Sequence, residues 1–356
     1  MKAIILCAGK GTRLRPLTYT SAKHLIPLAN KPALEYGIEK ITECGIEDIG
    51  IIIGEETGED IKKAIGDGKR WGVRISYILQ SKPLGLAHAV KIARTFLQNE
   101  SFLMFLGDNL LKNSISLYRQ KFERSKHQAF VLLTKVDNPE QFGVAELQDN
   151  KVIRMVEKPK IPKTDLALIG VYFFDKTIHQ AIDSITPSAR GELEITDAIQ
   201  WLIDNHYNVE ANIIDGWWKD TGKPEDIIEA NRLILEDISR NLEKARIDKK
   251  SKILGRVNLG NGVEIINSII MGPVIIGENA KIINSYIGPF TSLSQRVEVE
   301  NSEVEYSIIM ANTQIKYVKH RMQNCLIGKD VSVFRSEDIP RVYGFVLADE
   351  SKIRLI

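Results

Sequence analysis

Cysteine is scarce in this 356-residue sequence, with three in all, at Cys7, Cys44 and Cys325. They are odd in number, widely scattered and without C-x-x-C spacing, which excludes a disulfide framework and a zinc ribbon. An excess of one charge sign is missing too. The 48 Lys and Arg against 46 Asp and Glu leave a net charge of +2. The charges are interspersed with no polybasic or acidic tail, so neither nucleic acid nor a membrane surface is indicated as a partner. No stretch approaches the roughly 20 apolar residues of a membrane span. The opening run Met1–Ile5 is too short for a signal-peptide core and leads straight into polar, glycine-bearing sequence. These absences point to a cytoplasmic globular protein, long enough for two domains with sizeable cores.

What is present begins at the N-terminus, where LCAGKGTRLRP occupies residues 6–16 behind a strand-like run. A dinucleotide-binding G-x-G-x-x-G needs a third glycine where Leu14 stands, and no G-x-x-x-x-G-K-[ST] is offered. What remains is a loop that turns tightly and exposes backbone N–H groups to an anion, with Arg13 and Arg15 nearby. A plain strand-to-helix turn carrying solvated basic residues explains the same letters, so this stretch alone leaves both readings open.

Up to about residue 245 strands and helices alternate. Apolar runs at Ala3–Cys7, Ile49–Ile53, Ile75–Leu79 and Phe102–Leu106 read as buried strands, and Ala33–Cys44, Asp60–Ile65 and Leu86–Leu97 as amphipathic helices. The alternation predicts an α/β, doubly wound, mostly parallel Rossmann-like sheet with helices on both faces. Ligands in such folds sit beyond the carboxyl ends of the strands, where Gly9–Arg13, Gln80 and Gly107-Asp108-Asn109 fall. After Lys250 the rhythm changes. Aliphatics recur six apart, as Val257, Val263 and Ile269, then Ile270, Ile276 and Ile282, then Ile287, Leu293 and Val299. A six-residue period predicts a parallel, left-handed β-helix of hexapeptide repeats. The pattern frays after about Val304, where ANTQIKYVKHRMQN reads as an insertion. DIIEANRLILEDISRNLEKARID, residues 226–248, reads as a linking helix. The expected domains are therefore 1–245, catalytic, and 246–356, a β-helix whose last coil must be capped or paired with another subunit. A homo-oligomer is thus expected.

In FLGDN, Asp108 follows a wholly apolar run and a glycine, and a carboxylate projecting there is costly unless it meets a cation. Gly-Asp-Asn is equally a common turn. In WWKDTGKPED, Asp220 again ends an apolar stretch, and two carboxylates meeting one Mg²⁺ would suit a substrate whose phosphates complete the shell. At least one of Trp217 and Trp218 reads as packing. VEKPK and RGELEITD contribute Lys158, fixed by the turn at Pro159, and Arg190, residue types that bind phosphate but also stand free on surfaces.

Taken together, the opening loop, SAKHLIP with Lys23, QSKPLGLAHA, GDN, FGV, EKP, RGELEITD and WKDTG follow the order found in sugar-1-phosphate nucleotidyltransferases. The sequence resembles that family over nearly its whole length, most of all the thymidylyl-transferring branch in its long form with a β-helical tail. The resemblance implies a nucleoside triphosphate, dTTP, and a sugar-1-phosphate, glucose-1-phosphate, as substrates, with Mg²⁺ as cofactor. It assigns Gly9, Gly11, Thr12, Arg13 and Lys23 to the nucleotide and its triphosphate, and Gln80 and Gly85 to the pyrimidine. It makes Asp108 and Asp220 metal ligands, with Asp108 also facing the nucleotide. Asn109, Gly143, Glu157, Lys158, Tyr172 and Arg190 go to the sugar phosphate, and Arg13, Lys23, Asp108, Lys158 and Asp220 carry the reaction. His24 stands where many members have Gln, and an altered contact near the triphosphate is expected there. UTP in place of dTTP, an acyltransferase tail, and a regulatory relative without turnover are the competing readings. The intact Arg13, Lys23, Asp108, Lys158 and Asp220 weigh against the last of these. The tail's one histidine, His320, lies where the hexad breaks and weighs against acyl transfer.

Overall fold

The computed structural model describes residues 1–336, 339 and 342–354. Residues 337–338, 340–341 and 355–356 of the expected second domain lie outside the described residues. The chain forms two compact units. One comprises Met1–Gly11, Ser21–Leu25 and Ala33–Asp220, the other Thr12–Thr20, Ile26–Pro32 and the chain from Thr221.

The first unit is built on a nine-stranded sheet. Its strands run in the order Arg74–Leu79, Asp48–Ile53, Lys2–Cys7, Phe102–Leu106, Leu166–Phe174, Ala129–Lys135, Val209–Ile213, Lys151–Glu157 and Gly143–Gln148. The first four strands of that order are parallel. Leu166–Phe174 runs antiparallel to both its neighbours, and the Gly143–Gln148/Lys151–Glu157 hairpin is antiparallel as well. That hairpin turns on Asp149 and Asn150, both at positive φ, a conformation these residues tolerate and a two-residue hairpin requires.

Alternation along each strand splits the core into two layers. Ile4, Leu6, Ile52, Met104, Val131 and Phe174 pack on one face against helices Leu86–Ile92, Ile178–Ser184 and Ile195–Asp204. Ala3, Ile5, Ile51, Phe105, Leu132 and Phe173 face the other side, against Ala33–Glu43, Gly58–Ile65 and Ser116–Arg124. Two expectations change in detail. Arg74–Leu79 is the sheet edge, with Leu79 54% exposed, rather than a buried strand. The helix from Leu86 breaks at Ala93 into Leu86–Ile92 and Arg94–Leu97.

The second unit holds the parallel β-helix. Three sheets stack short strands, one from Arg246–Ile247 to Ser332–Phe334, one from Lys252–Leu254 to Met322–Gln323, and one from Val257–Leu259 to Leu326–Ile327. Glu264 faces Lys281 and Lys281 faces Glu298, so a coil takes 17 residues. Ile308 faces Leu326, so the stretch read as an insertion is one coil longer by a single residue. Eight of the nine hexad aliphatics are buried. Ile269 instead points outward, 40% exposed, because Ile270 takes the inward position on that three-residue strand. The helix expected over 226–248 spans Pro224–Leu235 only. Asn241 and Arg246 already hydrogen-bond to the coils, Asn241 N to Val257 O and Arg246 N to Val263 O.

Short N-terminal segments join this unit through side-chain amides. Asn231, 1% exposed, accepts from Ala29 N at 2.8 Å and Ser292 Oγ at 2.7 Å, and donates to Phe290 O at 3.3 Å. Asn30 donates to Leu293 O at 2.8 Å and accepts from Ser294 Oγ at 3.1 Å. Arg15 and Tyr19 both donate to Glu350, at 3.3 and 2.9 Å.

Candidate functional site

In the first unit Gly9, Gly11, Gln80 and Asp108 stand just beyond the carboxyl ends of the parallel strands Lys2–Cys7, Arg74–Leu79 and Phe102–Leu106, the end at which ligands of such folds sit. Gly11, at φ +66°, holds a turn that a side chain would strain. A Cβ on Gly9 would stand 3.4 Å from Lys23 Cε, so the first glycine lets the lysine lie flat against the loop. Thr12 and Arg13 follow in a 3₁₀ turn, Thr12–Leu14, exposed and within the second unit.

Lys23 binds Asp108 through Nζ and Oδ2, with both side chains only 14% exposed. Asp108 is held there by its predecessor. A Cβ on Gly107 would lie 2.4 Å from Cys7 Sγ and 3.1 Å from Leu6 O, so only glycine brings the chain this close to the first strand. Burial alone would lower the Lys23 ammonium, but Asp108 and then Asp220 outweigh it and hold it above its ordinary value. Burial likewise pushes the Asp108 carboxyl up, and Lys23 more than reverses this. Asp220 ends the strand Trp218–Asp220, which pairs antiparallel with Asn109–Leu111 and sets Asp220 opposite Asn109. Both carboxylates act on Lys23, and two such hard oxygen donors are the kind a divalent cation takes. No group of three or more His, Cys, Asp or Glu among the described residues forms a closed cage.

Gln80 and Gly85 meet directly, Gln80 Nε2 donating to Gly85 O at 3.3 Å, with His88 Nδ1 at 3.0 Å from the same nitrogen. Gly85 sits at φ +102° and a Cβ would come 2.4 Å from Leu193 O, so the position admits glycine alone. Leu193 N in turn donates to Leu84 O at 2.8 Å. The RGELEITD segment thereby ties this corner to the next. Arg190 clasps Glu194, 2.8 and 2.9 Å to its two oxygens, and reaches Glu157 at 3.5 Å. Glu157 pairs in register with Gly143 and accepts from Thr196 Oγ1 at 3.2 Å. Burial, then Glu194, raises its carboxyl above the usual range. Lys158, exposed at φ +41°, leaves its Nζ 3.9 Å from Glu157. Tyr172 is buried near the same carboxylate, its hydroxyl pushed up by burial and then by Glu157.

Some placements differ from a simple ligand role. Asn109 is 3% exposed and its amide NH₂ donates to Ile169 O beneath Gly170. His24 is 1% exposed, with Nδ1 buried and without a hydrogen-bond partner. Burial and then Lys23 lower its pKa to about 3, so the imidazole is neutral, and its Cδ2 packs beside Gly107. Sequence reasoning missed Glu194, Thr196 and His88. The spacing of Glu194 four residues after Arg190 is the readable signal for that pair. Hollows of about 550 Å³ beside Met1, Ser101 and Asp175, and about 450 Å³ beside Arg94, Lys176 and His179, lie at the amino ends of the strands, away from these residues.

Comparison with known proteins identifies the family. A family model described as Nucleotidyl transferase matches residues 2–237. The chain is 48% identical over 356 residues to a glucose-1-phosphate thymidylyltransferase of Streptomyces griseus, covering all of this chain and 99% of that one. A Bacillus anthracis crystal structure, described as a "Putative Glucose-1-Phosphate Thymidylyltransferase" in complex with a sucrose, superposes with a TM-score of 0.63 at 39% identity, covering 68% of this chain and 98% of that chain. A UDP-glucose pyrophosphorylase with UDP-glucose superposes at 0.60 and 25% identity, covering 67% and 99%. With a family model over two thirds of its length and a full-length relative at nearly half identity, the chain belongs to the nucleotidyl transferase family of enzymes.

Proposed function

We propose that the protein transfers a thymidylyl group from dTTP to glucose-1-phosphate, giving dTDP-glucose and pyrophosphate, and acts in the cytoplasm. The observation that carries this reading is the end-to-end likeness to the Streptomyces griseus enzyme. Gly9, Gly11, Thr12, Arg13 and Lys23 take the triphosphate, Gln80 and Gly85 the base. Asn109, Gly143, Glu157, Lys158, Tyr172 and Arg190 serve the sugar phosphate. Asp108 and Asp220 would hold Mg²⁺, which would supply positive charge to offset the charge that builds up on phosphate oxygens during the transfer.

A sugar phosphate is largely a dianion at neutral pH, so its oxygen attacks the α-phosphorus without a general base. The new P–O bond forms in line as the α–β bridge bond breaks. The barrier is mutual repulsion of the two phosphates, which Arg13, Lys23, Lys158 and Arg190 offset by charge and alignment. Glu194, buried and clasped by Arg190, fixes the guanidinium where the sugar phosphate must arrive. The β-helix serves stability and homo-oligomer assembly, since His320 is an exposed residue with no base-like setting.

The test is pyrophosphate release from purified protein with Mg²⁺, four nucleoside triphosphates and a panel of sugar-1-phosphates. The expected outcome is dTTP first with detectable use of UTP, because one methyl in an apolar slot discriminates by only ~1–3 kcal/mol. Preference for ATP or GTP would refute the base-reading role of Gln80 and Gly85. UTP is the second reading, favoured by the similarity to the UDP-glucose pyrophosphorylase.

A further inference from the structure

The position of Lys23 has a meaning beyond phosphate binding. Its ammonium rests against Gly9 of the cradle and binds Asp108, and neither side chain has much access to water. The backbone that carries Asp108 is packed close to the first strand, since a Cβ on the preceding Gly107 would lie 2.4 Å from Cys7 Sγ, 3.1 Å from Leu6 O and 3.2 Å from His24 Cδ2. A divalent cation approaching this carboxylate alone therefore meets an ammonium already in place, and like charges at one carboxylate exclude each other. A cation arriving with a triphosphate brings anionic oxygens that take the ammonium over. Through that exchange every charge keeps a partner. The ammonium passes from carboxylate to phosphate as the carboxylate passes from ammonium to metal.

We propose that Lys23 is the built-in counter-cation of Asp108 in the substrate-free enzyme and is handed to the triphosphate when Asp108 takes the metal, so that metal and nucleotide enter as one unit. The inference rests on the reading of Asp108 and Asp220 as metal ligands.

The experiment measures Mn²⁺ binding to the full-length protein by electron paramagnetic resonance, with and without a dTTP analogue that has a non-cleavable α,β-methylene bridge. Wild type and Lys23→Arg, which keep the cation, are expected to bind Mn²⁺ weakly alone. Lys23→Gln, which removes it, is expected to bind Mn²⁺ alone at least ~10-fold tighter, in line with removal of a like charge beside the carboxylate. The analogue should strengthen Mn²⁺ binding more in wild type than in Lys23→Gln. Equal Mn²⁺ affinity in wild type and Lys23→Gln, abolished in both by Asp108→Asn, overturns the handover while leaving the metal site standing. Mn²⁺ binding absent from every variant, even with the analogue, overturns the metal reading and the handover with it. Should Lys23→Gln not fold, wild-type crystals decide. Soaked in MnCl₂ alone they should lack anomalous density at Asp108, and with the analogue they should gain it with Lys23 Nζ moved away. Manganese at Asp108 while Lys23 still binds that carboxylate overturns the proposal.

Discussion

At the scale of single residues, the strongest dependence lies in the two strand-end carboxylates. Asp108→Asn and Asp220→Asn are each expected to lower kcat by at least ~10²-fold, the size of losing a key electrostatic stabiliser. Steady-state pyrophosphate release checks this, and turnover within a few-fold of wild type in both variants removes them from the metal site. His24 gives a different kind of signal. Its pKa is lowered from 6.5 to about 3 by burial and then by Lys23. Below about pH 6.5 the unfolded chain takes up a proton here that the folded chain refuses until about 3. This contribution to stability is therefore complete above pH 6.5 and drains away as pH falls, at ~1.4 kcal/mol per pH unit. Urea melts of wild type at pH 7 and pH 5 should show this loss, and His24→Gln should lack about 2 kcal/mol of it. An unchanged difference between the two pH values in the variant would show that His24 is not the group responsible. That Asp108 and Gln80 stand just past the carboxyl ends of strands was legible from the apolar runs that precede them. That Asn109 spends its amide on Ile169 O, and that His24 turns inward, was not, because both depend on what Gly170 and Gly107 leave room for.

At the scale of elements, continuous apolar runs were enough to place the four parallel strands, because three of them are buried on both faces and the fourth, Arg74–Leu79, is the edge. They could not give the direction of Leu166–Phe174, whose continuous apolar run suits either orientation. In the β-helix the six-residue spacing announced the architecture, yet it assigned Ile269 inward. The true repeat is a 17-residue coil, and its marker is the Asn-Ser pair at 267–268, 284–285 and 301–302. Asn267, Asn284 and Asn301 take the left-handed corner, at φ 46°, 49° and 46°. Ser268 and Ser285 Oγ each accept the backbone N–H of the serine one coil on, at 3.0 and 3.3 Å. A polar ladder of this sort is invisible to a search for aliphatics. Helix Pro224–Leu235 depends in the same way on one polar side chain. Asn231→Ala would leave Ala29 N–H and the Ser292 hydroxyl buried without their acceptor, a cost of roughly 2–4 kcal/mol. Chemical denaturation of the full-length variant measures it, and a change below about 0.5 kcal/mol, the range of an ordinary surface substitution, would mean that water replaces the amide at no cost.

At the scale of the whole molecule, the division into a strand–helix region and a β-helix was readable from the change of period near Lys250. The membership of residues 12–20 and 26–32 in the second unit was not, because nothing in their local sequence names a partner more than 200 residues away. Truncation after Asp248 would strip Asn30 of Leu293 and Ser294, Asn231 of Ser292 and Phe290, and Arg15 and Tyr19 of Glu350. The shortened chain is expected to melt at least roughly 10 °C lower and to lose any oligomeric association, as seen by calorimetry and sedimentation. A melting temperature within a few degrees of the full chain would mean that these bonds contribute little.

The same membership bears on how such proteins can be rearranged. The backbone passes from one unit to the other five times, after Gly11, Thr20, Leu25, Pro32 and Asp220. A single splice between two genes, wherever it falls, hands over one unit whole only by cutting the other into pieces from different parents. Grafting a foreign tail at residue 220 brings a new β-helix to loops 12–20 and 26–32 that were selected against the old one. Exchange of tails among relatives should thus succeed only when those two short loops travel with the tail, so the portable module is three stretches of chain, not one.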